Sequence, residues 1–223
     1  MLEISKEQIC NLSRLPLSIE QNPCYLTALQ LISDKQLNFK DTALYNHYKE
    51  YSPKTLYDMY GVVDKLKDFS SESSFLPWIH TEPVERYPDP AFINRGDEFI
   101  KKQVSKILSL VDSIGEKGFV PEQFLDRKGG NITGYFLKSG DKLRWYVVSG
   151  NHRAAVVSAA RPENMIPVAY EKKKFAKNRD LENRDVDFLK QYDLDNAKQW
   201  PSVRVGFLTQ HEARSLAERY FYE

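Results

Sequence analysis

The sequence has no surplus of charge of either sign: 32 Lys and Arg stand against 31 Asp and Glu. That balance excludes the global positive field that draws a protein to nucleic acid or to an anionic membrane surface. No apolar run approaches the ~18 residues that read as a membrane span. The start, Met1-Leu2-Glu3-Ile4-Ser5-Lys6-Glu7, lacks the apolar core of a signal peptide. We therefore expect a cytoplasmic protein with no membrane partner. Cysteine is scarce as well. Without an export signal, Cys10 and Cys24 read as buried or idle thiols rather than a disulfide. The sequons Asn11-Leu12-Ser13 and Asn131-Ile132-Thr133 read as chance matches for the same reason. Repeats and low-complexity tracts are missing. The one basic stretch, Lys172 to Arg179, is followed at once by Asp180, Glu182, Asp185 and Asp187, the pattern of a solvated segment.

What is present suits an ordinary globular chain, with 41% hydrophobic residues over 223 positions, enough for one sizeable domain with appendages. Residues 1–70 read as a helical, tyrosine-rich extension, with Pro53 fitting a helix start. The serine-rich stretch Asp68 to Ser74 is a candidate boundary. Four prolines between Phe75 and Pro90 forbid a helix there and predict an extended, edge-like segment. From Asp97 to Lys117 the spacing of Ile100, Val104, Ile107, Leu108, Val111 and Ile114 predicts a helix with a core-facing stripe, ended by Gly118. Strands are expected over Phe119–Leu125, Ile132–Leu137, Leu143–Val148 and Ile166–Tyr170, with turns at Gly129-Gly130 and Ser139-Gly140-Asp141. A short helix, Ala154–Ala160, falls between the last two strands. Residues 172–223 read as a helical appendage. In it Thr209 and Glu212 form a capping box before an amphipathic helix, and Trp200-Pro201-Ser202-Val203 reads as a packed turn.

The junction Ser149-Gly150-Asn151-His152-Arg153 carries the chemistry. A glycine between a strand and a helix lets a ligand approach the backbone, and the first free amides of the helix point at it. His152 and Arg153 add donors, and Arg can grip a phosphate with two parallel hydrogen bonds. Lys106, Ser109 and Ser113 fall at i, i+3 and i+7 and share the helix face opposite the apolar stripe. The two small hydroxyl residues leave room beside the lysine.

Over Trp78 to Glu171 these features resemble the ParB/sulfiredoxin superfamily. They are the proline-containing extended segment, Ser113-Ile114 followed by Pro121, Gly150-Asn151-His152-Arg153-Ala154-Ala155, and Ile166-Pro167-Val168. The resemblance implies an α+β fold, a mixed sheet with flanking helices, over residues 75–171. It also implies a nucleotide-phosphate cradle of Lys106, Ser109, Ser113, Ser149, Gly150, Asn151, His152 and Arg153. Sulfiredoxins place their nucleophilic cysteine where this chain has Asn151, which excludes sulfur-repair chemistry. The ParB partitioning proteins follow the module with a long DNA-binding region, for which residues 172–223 leave little room. The branch that remains is that of the small-molecule kinases, such as free-serine kinases. It implies ATP or ADP, with CTP open, together with Mg²⁺, and a glutamate near the first strand as base, for which Glu82 and Glu85 are the candidates. Asp97 and Glu98 are candidate metal-side acids, and His80 could pair with Glu82.

The expectation is a nucleotide-binding phosphotransferase acting on a small hydroxyl-bearing substrate. A nucleotide-dependent regulatory switch is the first alternative, and a DNA binder or nuclease the second. A homo-oligomer is left open, and no metal-ligand set can be assigned.

Overall fold

Alternate residues of the strand leading into Gly150 belong to two different cores: Trp145 and Val147 to one, Tyr146 to the other. This period-two division is what a central strand covered on both faces requires, and it organises the whole chain. A computed structural model describes residues 2–10, 17–85, 96–119, 131–161, 165–170 and 191–221. The chain is α+β, a mixed sheet with flanking helices.

The strands of the main sheet are β1 (Leu2–Ser5), β2 (Ile9–Cys10), β5 (Thr133–Ser139), β6 (Lys142–Ser149), β7 (Met165–Tyr170) and β8 (Gln191–Asp193); β3 (Ser73–Ser74) and β4 (Val84–Glu85) form a separate two-stranded ribbon. The main path runs β1-β7-β5-β6-β2, with β8 lying beside β5. β5 and β6 are an antiparallel hairpin, whose register closes at Ser139 opposite Lys142 across the expected Gly140-Asp141 turn. β7 and β8 share the other edge of β5, both parallel to it: Thr133 lies opposite Ala169, and Leu137 opposite Tyr192.

One face is covered by α1 (Pro23–Ser33), α4 (Asp97–Lys117) and α5 (Asn151–Ala160). The predicted stripe of α4, from Ile100 to Ile114, is buried except for the half-buried Leu108, and α5 buries Ala154 to Val157. Small residues make α5 thin enough to sit directly against the sheet and α4. The opposite face is covered by α3 (Leu56–Tyr60), by Leu66, Phe75 and Trp78, and by residues of the C-terminal segment such as Leu194, Trp200 and Leu216. α2 (Ala43–Glu50) packs beside α1 and α4, and α6 (Pro201–Arg204) and α7 (Gln210–Glu218) close the C-terminal layer.

Three expectations change. The first 70 residues are not wholly helical: β1 runs antiparallel to β7 and β2 parallel to β6, at opposite ends of the strand path, joined by one short turn at Lys6–Gln8. Ile4 and Ile9 enter the core as a result. The serine-rich stretch is packed rather than open. Ser71 and Ser73 are buried, Thr55 bridges Ser70, and the Ser71 amide donates to the Lys54 carbonyl at 3.0 Å. The described part of the proline-containing segment, up to Glu85, does not join the main sheet. Phe75 and Trp78 are drawn into the core, the His80 amide donates to the Leu76 carbonyl at 2.8 Å in a turn, and Val84–Glu85 is extended, in the ribbon with Ser73–Ser74. Two large aromatic side chains seeking burial outweigh the extended preference of the prolines there.

The C-terminal segment is equally integral. β8 lies in the sheet, and Ser202 fastens Pro77 by a hydroxyl that donates to its carbonyl at 3.0 Å. That bond gives Trp200-Pro201-Ser202-Val203 its structural role. It holds the turn against Trp78, whose ring lies 5.7 Å from that of Trp200. Trp78 is the hub of this layer, edge-on to Tyr146 and Tyr220 and donating Nε1–H to the Tyr135 hydroxyl at 2.9 Å. The Thr209–Glu212 capping box forms as expected. Most of the predicted strand Phe119–Leu125, Pro121, the Gly129-Gly130 turn and the charged stretch after Glu171 lie outside the described residues.

Candidate functional site

β6 hands the chain to α5 through a single residue, Gly150, at φ 89° and ψ 26°. The left-handed turn suits glycine, and the space around it is small. A methyl group there would lie 2.9 Å from the Asn131 carbonyl oxygen and 3.2 Å from the Arg153 guanidinium. No side chain caps the helix start, so its first amides keep their capacity for an incoming group.

The first turn of α5 presents Asn151, His152 and Arg153, each half-buried. Arg153 is anchored at one nitrogen, Nη2, which donates to the Asn131 carbonyl at 3.1 Å. Burial lowers its guanidinium pKa from the ordinary value. The His152 imidazole is pushed down to about 4, first by burial and then by the charges of Lys106 and Arg153. Lys106 on α4 and Arg153 on α5 thus bear on the same imidazole, as the packing of α4 on α5 allows. Among the described residues, none of the three has a carboxylate partner. Among those residues, two cationic groups thus bear on one imidazole that burial keeps neutral, with no carboxylate to balance them.

Lys106 is steadied by Gln103, a buried polar residue whose Oε1 accepts from Nζ at 3.2 Å. Sequence reasoning missed Gln103. Its signal was a polar side chain adjoining the apolar stripe of α4, one turn before the lysine. Asn131 was also missed, because a backbone carbonyl acceptor leaves no trace in residue type.

The remaining candidates are less closely tied to this corner. Ser109 is exposed and donates back to the Ser105 carbonyl at 2.9 Å, and Ser113 is half-buried on the same helix. No hydrogen bond joins either to Lys106, His152 or Arg153 among the described residues. Ser149 ends β6 opposite Thr133. Glu82 and Glu85 are both exposed, and nothing among the described residues connects them to the cationic corner. His80 does not offer both ring nitrogens, since Nδ1 accepts from the Leu76 amide at 3.0 Å. Asp97 is held below the ordinary carboxylate range by Lys49, at 2.8 Å, and by Lys40, at 3.3 Å. It therefore ties α2 and the 39–41 turn to α4.

No cluster of three or more His, Cys, Asp or Glu side chains able to hold a metal occurs among the described residues. Asp97, one of the two candidate metal-side acids, is engaged by two lysines. Cys10 and Cys24 are buried thiols. Burial pushes the Cys10 thiol far up, and its Sγ donates to the Trp145 carbonyl at 3.5 Å. A thiol kept protonated in this way is a poor nucleophile. No described helix is long and apolar enough to cross a membrane.

The fold and the corner together define an α+β protein in which, among the described residues, Lys106 and Arg153 meet no carboxylate beside the start of α5. Comparisons with protein-family models, with curated proteins and with solved structures found no match.

Proposed function

We propose that this chain binds a nucleotide, ATP or ADP in the first place, through its phosphates at the α4–α5 corner, and transfers a phosphoryl group to a small hydroxyl-bearing substrate. One observation carries the reading. Lys106 and Arg153 come from different helices, converge on His152 beside the Gly150 turn, and lack any carboxylate partner among the described residues. Phosphoryl transfer asks a protein mainly for positioning and charge stabilisation, which such a corner supplies. The bond from the terminal phosphorus to its bridging oxygen breaks, and a new one forms to the substrate hydroxyl oxygen. The hydroxyl proton passes to a carboxylate, for which Glu82 and Glu85 are the proposed bases. The resemblance to the ParB/sulfiredoxin superfamily belongs to this proposal and points to its small-molecule kinase branch.

A second reading, a nucleotide-dependent switch with slow or no turnover and CTP or ATP as ligand, is favoured by the exposure of Glu82 and Glu85 and their lack of any link to the corner. Glu82→Gln and Glu85→Gln separate the two. In the kinase reading one of them lowers turnover about a hundredfold or more, on the scale of general base catalysis, and leaves nucleotide affinity within about twofold. Unchanged turnover in both variants would remove the catalytic assignment.

A further inference from the structure

Alongside the apolar stripe of α4, Gln103 is only 9% exposed. Burying an amide costs free energy unless its polar atoms are hydrogen-bonded, and an apolar side chain would fill the same place without that cost. The bond that Gln103 makes is to Lys106: its Oε1 accepts from the ammonium at 3.2 Å, three residues further along the helix. An ammonium can only donate, so the amide atom it meets is the oxygen. The same spacing recurs elsewhere with a different partner, where Lys67 pairs with the Asp64 carboxylate three residues before it at 3.0 Å. The contrast is one of charge. A carboxylate neutralises its lysine, whereas an amide holds the ammonium and leaves its charge intact. Lys106 is exposed and has no carboxylate partner among the described residues, and its charge reaches His152 where α4 packs on α5.

We propose that Gln103 is a positioning residue for the phosphate site, a buried neutral acceptor that holds the Lys106 ammonium in place with its charge undiminished. One of the three ammonium protons is committed to Oε1 and two stay available to anionic oxygens. A long, rotamer-rich side chain is thereby ordered before the ligand arrives, which removes part of the entropic cost of binding. The inference rests on the phosphate-binding reading above. It adds the residue that prepares Lys106 and a reason for an amide rather than a carboxylate at that position.

A double-mutant cycle, with inorganic tripolyphosphate titrated calorimetrically into the full chain, tests it. Gln103→Met keeps the length of the side chain and removes the acceptor. It should weaken binding about threefold to tenfold in the parent, the effect of leaving one long side chain for the ligand to order. In a Lys106→Ala background the same change should matter by less than about twofold, because no ammonium is left to hold. A merely structural role would cost the same in both. Gln103→Glu, nearly identical in size, is read independently. It should weaken binding about tenfold or more by neutralising Lys106, and its affinity should fall less steeply with added salt than the parent's, one positive charge having been cancelled. Equal losses from Gln103→Met in the two backgrounds, no loss in the parent, or a Gln103→Glu chain that matches the parent in affinity and salt response would overturn the role of Gln103. Binding that still depends on Lys106 and Arg153 would then leave the phosphate site standing. Tripolyphosphate binding that neither Lys106→Ala nor Arg153→Ala weakens, or no binding to the parent, would overturn the phosphate site and the role of Gln103 with it.

Discussion

Replacing Gly150 by alanine places a methyl group in the left-handed turn between β6 and α5. The left-handed backbone conformation costs a non-glycine residue ~1–2 kcal/mol. The new Cβ would also lie 2.9 Å from the Asn131 carbonyl oxygen and 3.1 Å from the Ile132 Cα, so the strand entering the hairpin has to move. Displacing that well-packed backbone adds about 1–2 kcal/mol, the low end of the cost of overpacking a core. The sum, about 2–4 kcal/mol, should lower Tm by roughly 5–15 °C in a chain of this length. Gly140 supplies the control. It also has a positive φ, 56°, but nothing lies within 4 Å of a methyl placed there, so Gly140→Ala should show the conformational cost alone. Thermal unfolding of both variants by circular dichroism measures the difference. If Gly150→Ala is no less stable than Gly140→Ala, the close approach of Asn131 and Ile132 to this turn is wrong, and with it the geometry on which the anion site is built.

Three further predictions concern the corner and the aromatic layer. His152 is pushed down to about 4 in the folded chain against an ordinary value of 6.5, so the unfolded chain binds more protons between those limits. Stability should therefore be full above pH ~6.5 and fall as pH drops towards ~4, by up to about 3 kcal/mol, which urea unfolding across that range reads directly. A bound anion favours the imidazolium, so anion binding in the same window should take up a proton and strengthen as pH falls. Titrations in buffers of different ionisation enthalpy report that uptake, and proton release would contradict the assignment. Trp78→Phe removes the Nε1–H bond to the Tyr135 hydroxyl and part of the contact with Tyr146, Trp200 and Tyr220, for a loss of about 1–3 kcal/mol. A variant as stable as the parent would show that Trp78 is not the hub of that layer.

The parts of the fold legible in the sequence were those governed by local periodicity. The α4 stripe from Ile100 to Ile114, the β5–β6 hairpin turning at Gly140-Asp141, and the Thr209–Glu212 box each follow from residues close together in the chain. Leu2–Ser5 and Ile9–Cys10 were not legible as strands. Each is too short to show alternation, and both are extended because β7 and β6 offer them partners far away in sequence. The same holds for β8, whose three residues pair only with β5. At the site, the Gly150 turn and the His152-Arg153 pair could be read from residue type, and Lys106 from its helical phase, but not that burial keeps the His152 imidazole neutral. Nor could the buried Asn151 Oδ1 be read as lacking a hydrogen-bond partner among the described residues, because whether a side chain finds a partner is decided by tertiary packing. Glu82 and Glu85 stand out in the sequence as acids in an extended segment, but the described part of that segment pairs with Ser73–Ser74 rather than with the main sheet, and both stay at the surface.

The central claim is that the α4–α5 corner binds phosphate groups. Calorimetric titration of the full chain with ATP, ADP and CTP, alongside the Arg153→Ala and Lys106→Ala variants, tests it most directly. A charge-assisted hydrogen bond to phosphate is worth ~1.5–3 kcal/mol, so each variant should bind the preferred nucleotide about 10–100-fold more weakly than the parent while keeping its fold by circular dichroism. Nucleotide bound equally well by parent and variants, or bound by none of them, would contradict the account.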